Sequence, residues 1–242
     1  MTRRAALAMA GVLPAYADQP VALFDRNSFA GWTLGDGAEV THSWTIEDGA
    51  IATVADTRGR SDLLCTRPLR SFELTFEFRL SRGSNTGLKY FVQHTLRYLY
   101  PGSTLTGAYG AIGLEFQLAD DSSPELLAPE HKLGALYGIL PAQHASPYTV
   151  GEWANARLIC RKSSCEHWIN GKRVVAYDPS ARELRRKLQL VATNPAHSIV
   201  GAAAAQVAAR RPIGDMPSAF IALQQHNSKA WFRALRVREL NE

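Results

Sequence analysis

Residues Ala111–Asp121 read Ala-Ile-Gly-Leu-Glu-Phe-Gln-Leu-Ala-Asp-Asp and alternate apolar side chains with polar or small ones without a break. This strict period of two is typical of a β-strand that buries one face. The apolar face carries Ile112, Leu114, Phe116 and Leu118, and the other face carries Gly113, Glu115, Gln117 and Ala119. A carboxylate and an amide side by side suit a sugar, because both bind hydroxyls and Glu can also move a proton. The stretch equally fits an exposed strand face with ordinary polar residues.

The remainder of the chain is a series of short strands separated by turn signals. Phe72, Leu74, Phe76, Phe78 and Leu80 alternate with polar residues and are expected to face the core. Asp48-Gly49 and Asn170-Gly171 predict tight hairpins. We further expect strands from Asn85 to Gln93 and over Ala219–Gln225, with a loop over Thr95–Gly110. Many short strands with regular turns favour a sandwich or barrel over a βαβ fold.

Two segments depart from this strand pattern. Asp120–Val150 is long, irregular and proline-containing, and loops of this length in a compact domain are usually functional or mobile. Ala181–Ala192 and Ser198–Arg211 predict helices, on the basis of their alanine content and leucine spacing.

The N-terminal residues 1–17 have the three features of a signal peptide. Arg3 and Arg4 precede a short apolar run that ends in Ala15-Tyr16-Ala17, a small-x-small cleavage sequence. The run is too short to span a bilayer. We therefore expect a periplasmic or secreted protein, with residues 18–242 forming one domain. The alternative is a frayed N-terminus on a cytoplasmic protein.

The composition argues against a nucleic-acid-binding protein and against a membrane-spanning one. Removal of Arg3 and Arg4 with the leader takes away no acid, so the formal net charge falls from +5 to +3. The basic residues are mostly scattered, so a nucleic-acid partner is not expected. The hydrophobic share of 46% is ordinary for a globular domain, and no later segment is long and apolar enough for a membrane span.

The three cysteines, Cys65, Cys160 and Cys165, have no zinc-binding spacing. Cys160 and Cys165 flank a predicted hairpin turn, which would place them opposite each other on paired strands. In an oxidising compartment they could form a disulfide if they are a non-hydrogen-bonded pair, the kind whose Cα atoms lie closer together. Two small apolar residues on a sheet would give the same pattern, so both interpretations stay open.

Several strands carry polar residues that could converge with Glu115. Asn85 precedes a glycine at a strand start, Lys89 shares a strand face with Gln93, and Gln224 shares one with His226. Each of these alone fits a solvated sheet residue, and the sequence does not show that they converge.

These residues lie in an ordered set of motifs that resembles the 3-keto-disaccharide hydrolase family, long known as a domain of unknown function. The resemblance covers nearly the whole mature chain. It runs through Leu23-Phe24-Asp25, Asn85-Thr86-Gly87-Leu88-Lys89, Ala111–Asp121, Gly134-Ala135-Leu136-Tyr137, Glu166–Gly171, and Leu223-Gln224 with His226. This chain departs from the family pattern at Gln225, Asn227 and Ala234, where the family tends to have Asp, Gly and Asn. The segment that contains the two predicted helices is also longer than is typical of the family, which implies a short helical insertion near residues 181–211.

The resemblance implies an all-β, two-sheet jelly-roll sandwich of the concanavalin A-like type, with the site on the concave sheet. It also implies cleavage of 3-keto-glycosides by C2 deprotonation, elimination and hydration. Under this hypothesis Glu115 and His226 transfer protons, and Lys89 binds the ketone or enolate oxygen. Asn85, Gln117 and Gln224 would bind hydroxyls. Tyr137 and His131 from the long loop would cover the sugar or assist the acid step. Asp120 and Asp121 could instead bind a divalent cation, since paired carboxylates at the start of a loop suit a hard ion; no other cofactor is expected.

Two other function classes remain. A non-catalytic lectin-like module would use the same sandwich and needs no base. An ordinary glycoside hydrolase would need two acids facing each other across a cleft. The sequence pattern places only Glu115 in a position suited to such a role.

Overall fold

The computed structural model describes residues 19–54, 59–98, 108–123, 126, 128–143, 148–193, 206, 219–226 and 228–241. Within these ranges, fourteen strands form two sheets, so the expected two-sheet all-β fold is confirmed. The strands are β1 Val21–Ala22, β2 Trp32–Leu34, β3 Trp44–Glu47, β4 Ala50–Thr53, β5 Arg60–Ser61, β6 Leu63–Cys65, β7 Phe72–Leu80, β8 Asn85–Tyr98, β9 Ala108–Ala119, β10 Ala154–Arg161, β11 Ser164–Ile169, β12 Lys172–Tyr177, β13 Phe220–Leu223 and β14 Ala230–Glu239.

One sheet has the order β12-β11-β10-β7-β14-β4-β3, with β1 paired to β14, and the other has the order β2-β6-β13-β8-β9-β5. Neighbouring strands are antiparallel except for β5 and β9. Alternate residues of β7 are buried from Phe72 to Leu80, as its period of two predicts. Phe76 of this strand packs edge-on against Phe116 of β9, with ring centroids 6.3 Å apart, so the apolar faces of the two sheets meet in one core.

The two predicted tight hairpins are present. Asp48 and Gly49 join β3 to β4 with φ of 50° and 72°. Asn170 and Gly171 join β11 to β12 with φ of 47° and 76°. Both turns need positive φ at two successive residues, which Asn, Asp and Gly tolerate better than other residues.

The expected end of the strand at Gln93 is wrong. β8 continues to Tyr98 through a bulge between Tyr90 and His94, where the register against β9 shifts. Phe91 lies in this bulge with φ of 54°. β8 advances four residues here while β9 advances two, and the two extra residues let the strand resume pairing after an irregular step, which alternation alone does not reveal. Part of the predicted loop over Thr95–Gly110 is therefore strand, and its residues 99–107 lie outside the described ranges.

The predicted strand over Ala219–Gln225 is too long, because β13 ends at Leu223. The first predicted helix is confirmed as α1, Arg182–Thr193, which buries Leu184 and Leu188. Most of the second predicted helix, Ser198–Arg211, lies outside the described residues, as does the predicted signal peptide. No helix in the described ranges is long and apolar enough to cross a membrane.

Cys160 and Cys165 lie directly opposite each other on β10 and β11, as the predicted hairpin requires. Both are buried and neither forms a disulfide in the structure.

Candidate active site

The polar residues predicted from the sequence lie mainly on the second sheet, where β9, β8 and the end of β13 are neighbours. Residues directly opposite each other in an antiparallel pair share a face. Glu115 is opposite Lys89, and Gln117 is opposite Gly87. The backbone N–H of Gln224 donates to the Gly87 carbonyl over 2.9 Å, which continues this row across the sheet. The neighbouring residues Leu88, Phe116 and Leu223 face the core instead.

Glu115 is the centre of this face. The Gln224 amide Nε2 donates to Glu115 Oε2 over 3.2 Å. The carboxylate leans across Gly87, because a Cβ placed on Gly87 would lie 2.3 Å from Glu115 Oε1 and 2.6 Å from its Cγ. A side chain at position 87 would therefore displace the carboxylate, so the glycine is required by space and not by backbone conformation.

Burial raises the pKa of Glu115 to about 7, with a further increase caused by the negative charge of Asp62. The positive charge of Lys89 acts in the opposite direction. Loss of hydration penalises the ionised carboxylate more than the neutral acid, which accounts for the direction of the change. A carboxyl group that titrates near neutral pH can both accept and return a proton under physiological conditions.

Asp62, which no sequence motif singled out, is the partner of Lys89. Lys89 Nζ lies 2.7 Å from Asp62 Oδ2, and both side chains are 4% exposed. The same carboxylate accepts the backbone N–H groups of Ala111 over 2.8 Å and Gln225 over 3.0 Å. The one signal in the sequence was a single carboxylate directly before the apolar run Leu63-Leu64-Cys65. That signal indicates burial but not the partner.

The two amide side chains near Glu115 are oriented by the hydrogen bonds that their Nε2 groups donate. Gln117 Nε2 donates to Asn85 Oδ1 over 3.1 Å, and Gln224 Nε2 donates to Glu115. This leaves Gln117 Oε1 and Gln224 Oε1 as buried acceptors without a hydrogen-bond partner among the described residues. Buried polar atoms normally have partners. The two amide oxygens are therefore suited to accept hydrogen bonds from a ligand's hydroxyl groups.

The long loop returns beside the same face. Leu136 pairs antiparallel with Phe116, and the Tyr137 N–H donates to the Glu115 carbonyl over 3.0 Å, so Tyr137 is opposite Glu115 in register. The Tyr137 ring stacks on His131, with ring centroids 4.8 Å apart. The structure therefore brings both predicted loop residues to the strand that carries Glu115.

His226 lies beyond the end of β13, two residues after Gln224, and is half-buried. The intervening Gln225 is buried and donates its side-chain amide to the Val54 carbonyl over 2.6 Å. That His226 lies on the same sheet face as Glu115 stays a prediction.

Asp120 and Asp121 each bind backbone groups of different segments. Asp120 Oδ2 accepts the Gly83 N–H over 2.7 Å, and its Oδ1 accepts the Ser122 N–H and hydroxyl. Burial acts to raise the pKa of Asp120, but these hydrogen bonds outweigh it and the pKa lies below its ordinary value. Asp121 Oδ1 accepts the Leu133 N–H over 2.7 Å. In the described ranges, no group of three or more His, Cys, Asp or Glu residues is arranged to hold a metal ion.

Comparison with known proteins agrees with this fold and with the expected family. A curated protein named 3-keto-disaccharide hydrolase, from Bacteroides thetaiotaomicron, is 27% identical over 250 residues, covering 95% of this chain and 81% of that protein. A crystal structure of a candidate glycosyl hydrolase from Parabacteroides distasonis superposes with a TM-score of 0.69 at 21% identity, covering 92% of this chain and 94% of the other. A second such structure from the same organism has a TM-score of 0.57 at 24% identity, covering 86% of this chain and 99% of the other. These two structures support the fold alone. A family model described as the 3-keto-alpha-glucoside-1,2-lyase-like domain matches residues 19–238, and the chain therefore belongs to that family.

Proposed function

We propose that this protein cleaves 3-keto-glycosides by proton abstraction at C2, elimination of the C1 substituent and hydration of the product. Family membership supports a carbohydrate-active function. The named activity of the relative from Bacteroides thetaiotaomicron, a 3-keto-disaccharide hydrolase, supports the 3-keto substrate class. The observation that carries the mechanism is the buried Glu115 carboxyl, whose pKa of about 7 suits a general base.

The proposed reaction balances as a net hydrolysis. Glu115 takes the C2 proton, which the neighbouring C3 ketone acidifies, and the C2–H electrons form an enolate. The enolate collapses to break the C1–O bond, and the departing oxygen receives a proton. Water then adds across the new C1–C2 double bond, with its hydroxyl on C1 and a proton returned to C2. The products are a 3-keto sugar and an alcohol.

The residues around Glu115 have complementary roles in this proposal. Lys89, directly opposite Glu115, places a positive charge where the enolate forms, which stabilises negative charge in a poorly solvated site. Gln117 and Gln224 would offer sugar hydroxyls their amide oxygens, which have no hydrogen-bond partner in the described part of the chain, and Asn85 holds the Gln117 amide in that orientation. The stacked Tyr137 and His131 would cover the sugar, and His226 would protonate the leaving oxygen.

The competing functions differ in the acid–base groups they require. A lectin-like module needs no carboxyl group with a pKa near neutrality. A glycoside hydrolase of the usual type needs a second carboxyl group that is free to act on the substrate. Within the described ranges, the second carboxylate that acts on Glu115 is Asp62, which is bound to Lys89 and to two backbone N–H groups. This arrangement favours a single-base elimination over a carboxylate pair.

Release of the leaving group from a 3-keto-glucoside and from its unoxidised parent tests the proposal. We expect cleavage of the 3-keto substrate only, since the parent has no acidified C2 proton. Glu115→Gln should reduce kcat by about 10²–10⁴-fold, the range for general acid–base groups. Glu152→Gln is the matched control, because Glu152 is exposed and precedes β10 of the other sheet. Efficient cleavage of the unoxidised parent, or full activity in Glu115→Gln, would refute the proposal.

A further inference from the structure

The Asp62 carboxylate links the three chain segments that carry the candidate site. Its two oxygens accept hydrogen bonds from Lys89 on β8, from the Ala111 N–H on β9 and from the Gln225 N–H after β13. Two of these donors are backbone groups, so the carboxylate is fixed by the sheet itself. Backbone N–H donors also stabilise the ionised form of a carboxyl group.

Lys89 lies between this carboxylate and Glu115. It is directly opposite Glu115 in the β8–β9 register, and such partners have Cβ atoms about 4.5–5.5 Å apart. Lys89 Nζ is 2.7 Å from Asp62, and the two side chains are 4% exposed. Solvent screens buried charges weakly, so each of these three groups acts on the others.

We propose that Asp62 is a positioning residue that holds the Lys89 ammonium beside Glu115 and offsets its charge, so that Glu115 can both take up and release a proton. Without Asp62, the uncompensated ammonium would hold Glu115 as a stable anion and a weak base. Without Lys89, the two carboxyl groups would repel each other and Glu115 would keep its proton.

The charged groups that act on Glu115 among the described residues are Lys89 and Asp62, and they act in opposite directions. Gln224, which contacts the carboxylate directly, is neutral. Removal of either charge should therefore shift the titration of Glu115 in a direction known in advance. Only the kinetic consequence rests on the proposed function, since the titration itself needs no substrate.

The test is the ¹³C NMR titration of the Glu115 side-chain carboxyl in substrate-free protein, assigned by its absence in Glu115→Gln. We expect Asp62→Asn to lower the pKa of Glu115 by about one pH unit or more, the effect of one nearby charge. Lys89→Met should raise it by a similar amount. The double variant, which removes both charges, should return it toward the wild-type value. Lys89→Arg keeps the charge and should change it little.

Glu77→Gln is the matched control, since it removes a carboxylate from the Arg233–Glu77 ion pair on the other sheet and should leave the Glu115 titration unchanged. If Asp62→Asn does not fold, Lys89→Met is compared with the double variant instead. These two differ only in the Asp62 charge, so the pKa of Glu115 must be lower in the double variant. An unchanged Glu115 pKa in both single variants would overturn the inference. The predicted shifts in a protein that fails to cleave 3-keto-glucosides would refute the proposed function and leave the inference standing.

Discussion

The Glu115→Gln variant should become more stable relative to the wild type as the pH rises. The folded protein raises the pKa of Glu115 from 4.5 to about 7, chiefly through burial. A raised carboxyl pKa means that the folded state favours the protonated form. The corresponding stability is fully present below pH 4.5 and is lost as the pH rises to about 7.

The size of the effect follows from the two pKa values. At about 1.36 kcal/mol for each pH unit, the interval from 4.5 to about 7 corresponds to about 3 kcal/mol. The substituted glutamine would keep the shape of the protonated acid and cannot ionise. The free energy of unfolding of the wild type, minus that of Glu115→Gln, should therefore fall by about 3 kcal/mol between pH 4 and pH 9.

Urea unfolding of both proteins at about six pH values across this range measures the difference. Subtraction of the two curves removes the titration of groups that both proteins share. Glu152→Gln, the same substitution at an exposed position, serves as the control. A wild-type minus Glu115→Gln difference that is flat with pH would show that Glu115 ionises normally and would remove the physical basis for its role as base.

Three further predictions concern other parts of the chain. Gly87→Ala should lower kcat by about 10²-fold, because the new Cβ displaces the Glu115 carboxylate. In a Glu115→Gln background the same substitution should cause little further loss of kcat. Equal losses of kcat in both backgrounds would contradict this reason. Ala234→Asn should raise the free energy of unfolding by about 1 kcal/mol, because Ala234 has φ of 52° in a bulge of β14 and Asn tolerates that conformation better. Urea unfolding measures this change, and an unchanged free energy of unfolding would argue against strain at this site. We also propose that the mature protein begins near Asp18 and is exported; N-terminal sequencing of protein from the native host checks it, and an intact Met1 on cytosolic protein would refute it.

Local sequence patterns determined much of the fold. The period of two in β7 and in β9 predicted which side chains face the core, because successive residues of a strand point to opposite faces whatever the neighbours are. The hairpins at Asp48-Gly49 and Asn170-Gly171 were equally predictable, since their backbone conformation depends on the turn residues themselves. The bulge in β8 was not, because it depends on how β8 pairs with β9.

The candidate site shows the same division. The alternation in β9 placed Glu115 and Gln117 on one face, and the motif resemblance singled out Lys89 and Gln224. Only the tertiary structure showed that Asp62, 27 residues before Lys89 in the chain, forms the ion pair with it. The pKa of Glu115 also depends on burial and on two charges from other segments, Lys89 on β8 and Asp62 between β5 and β6. Sequence by itself determines what each strand can present on its faces, whereas long-range strand pairing decides which groups meet, because those contacts join residues far apart in the chain.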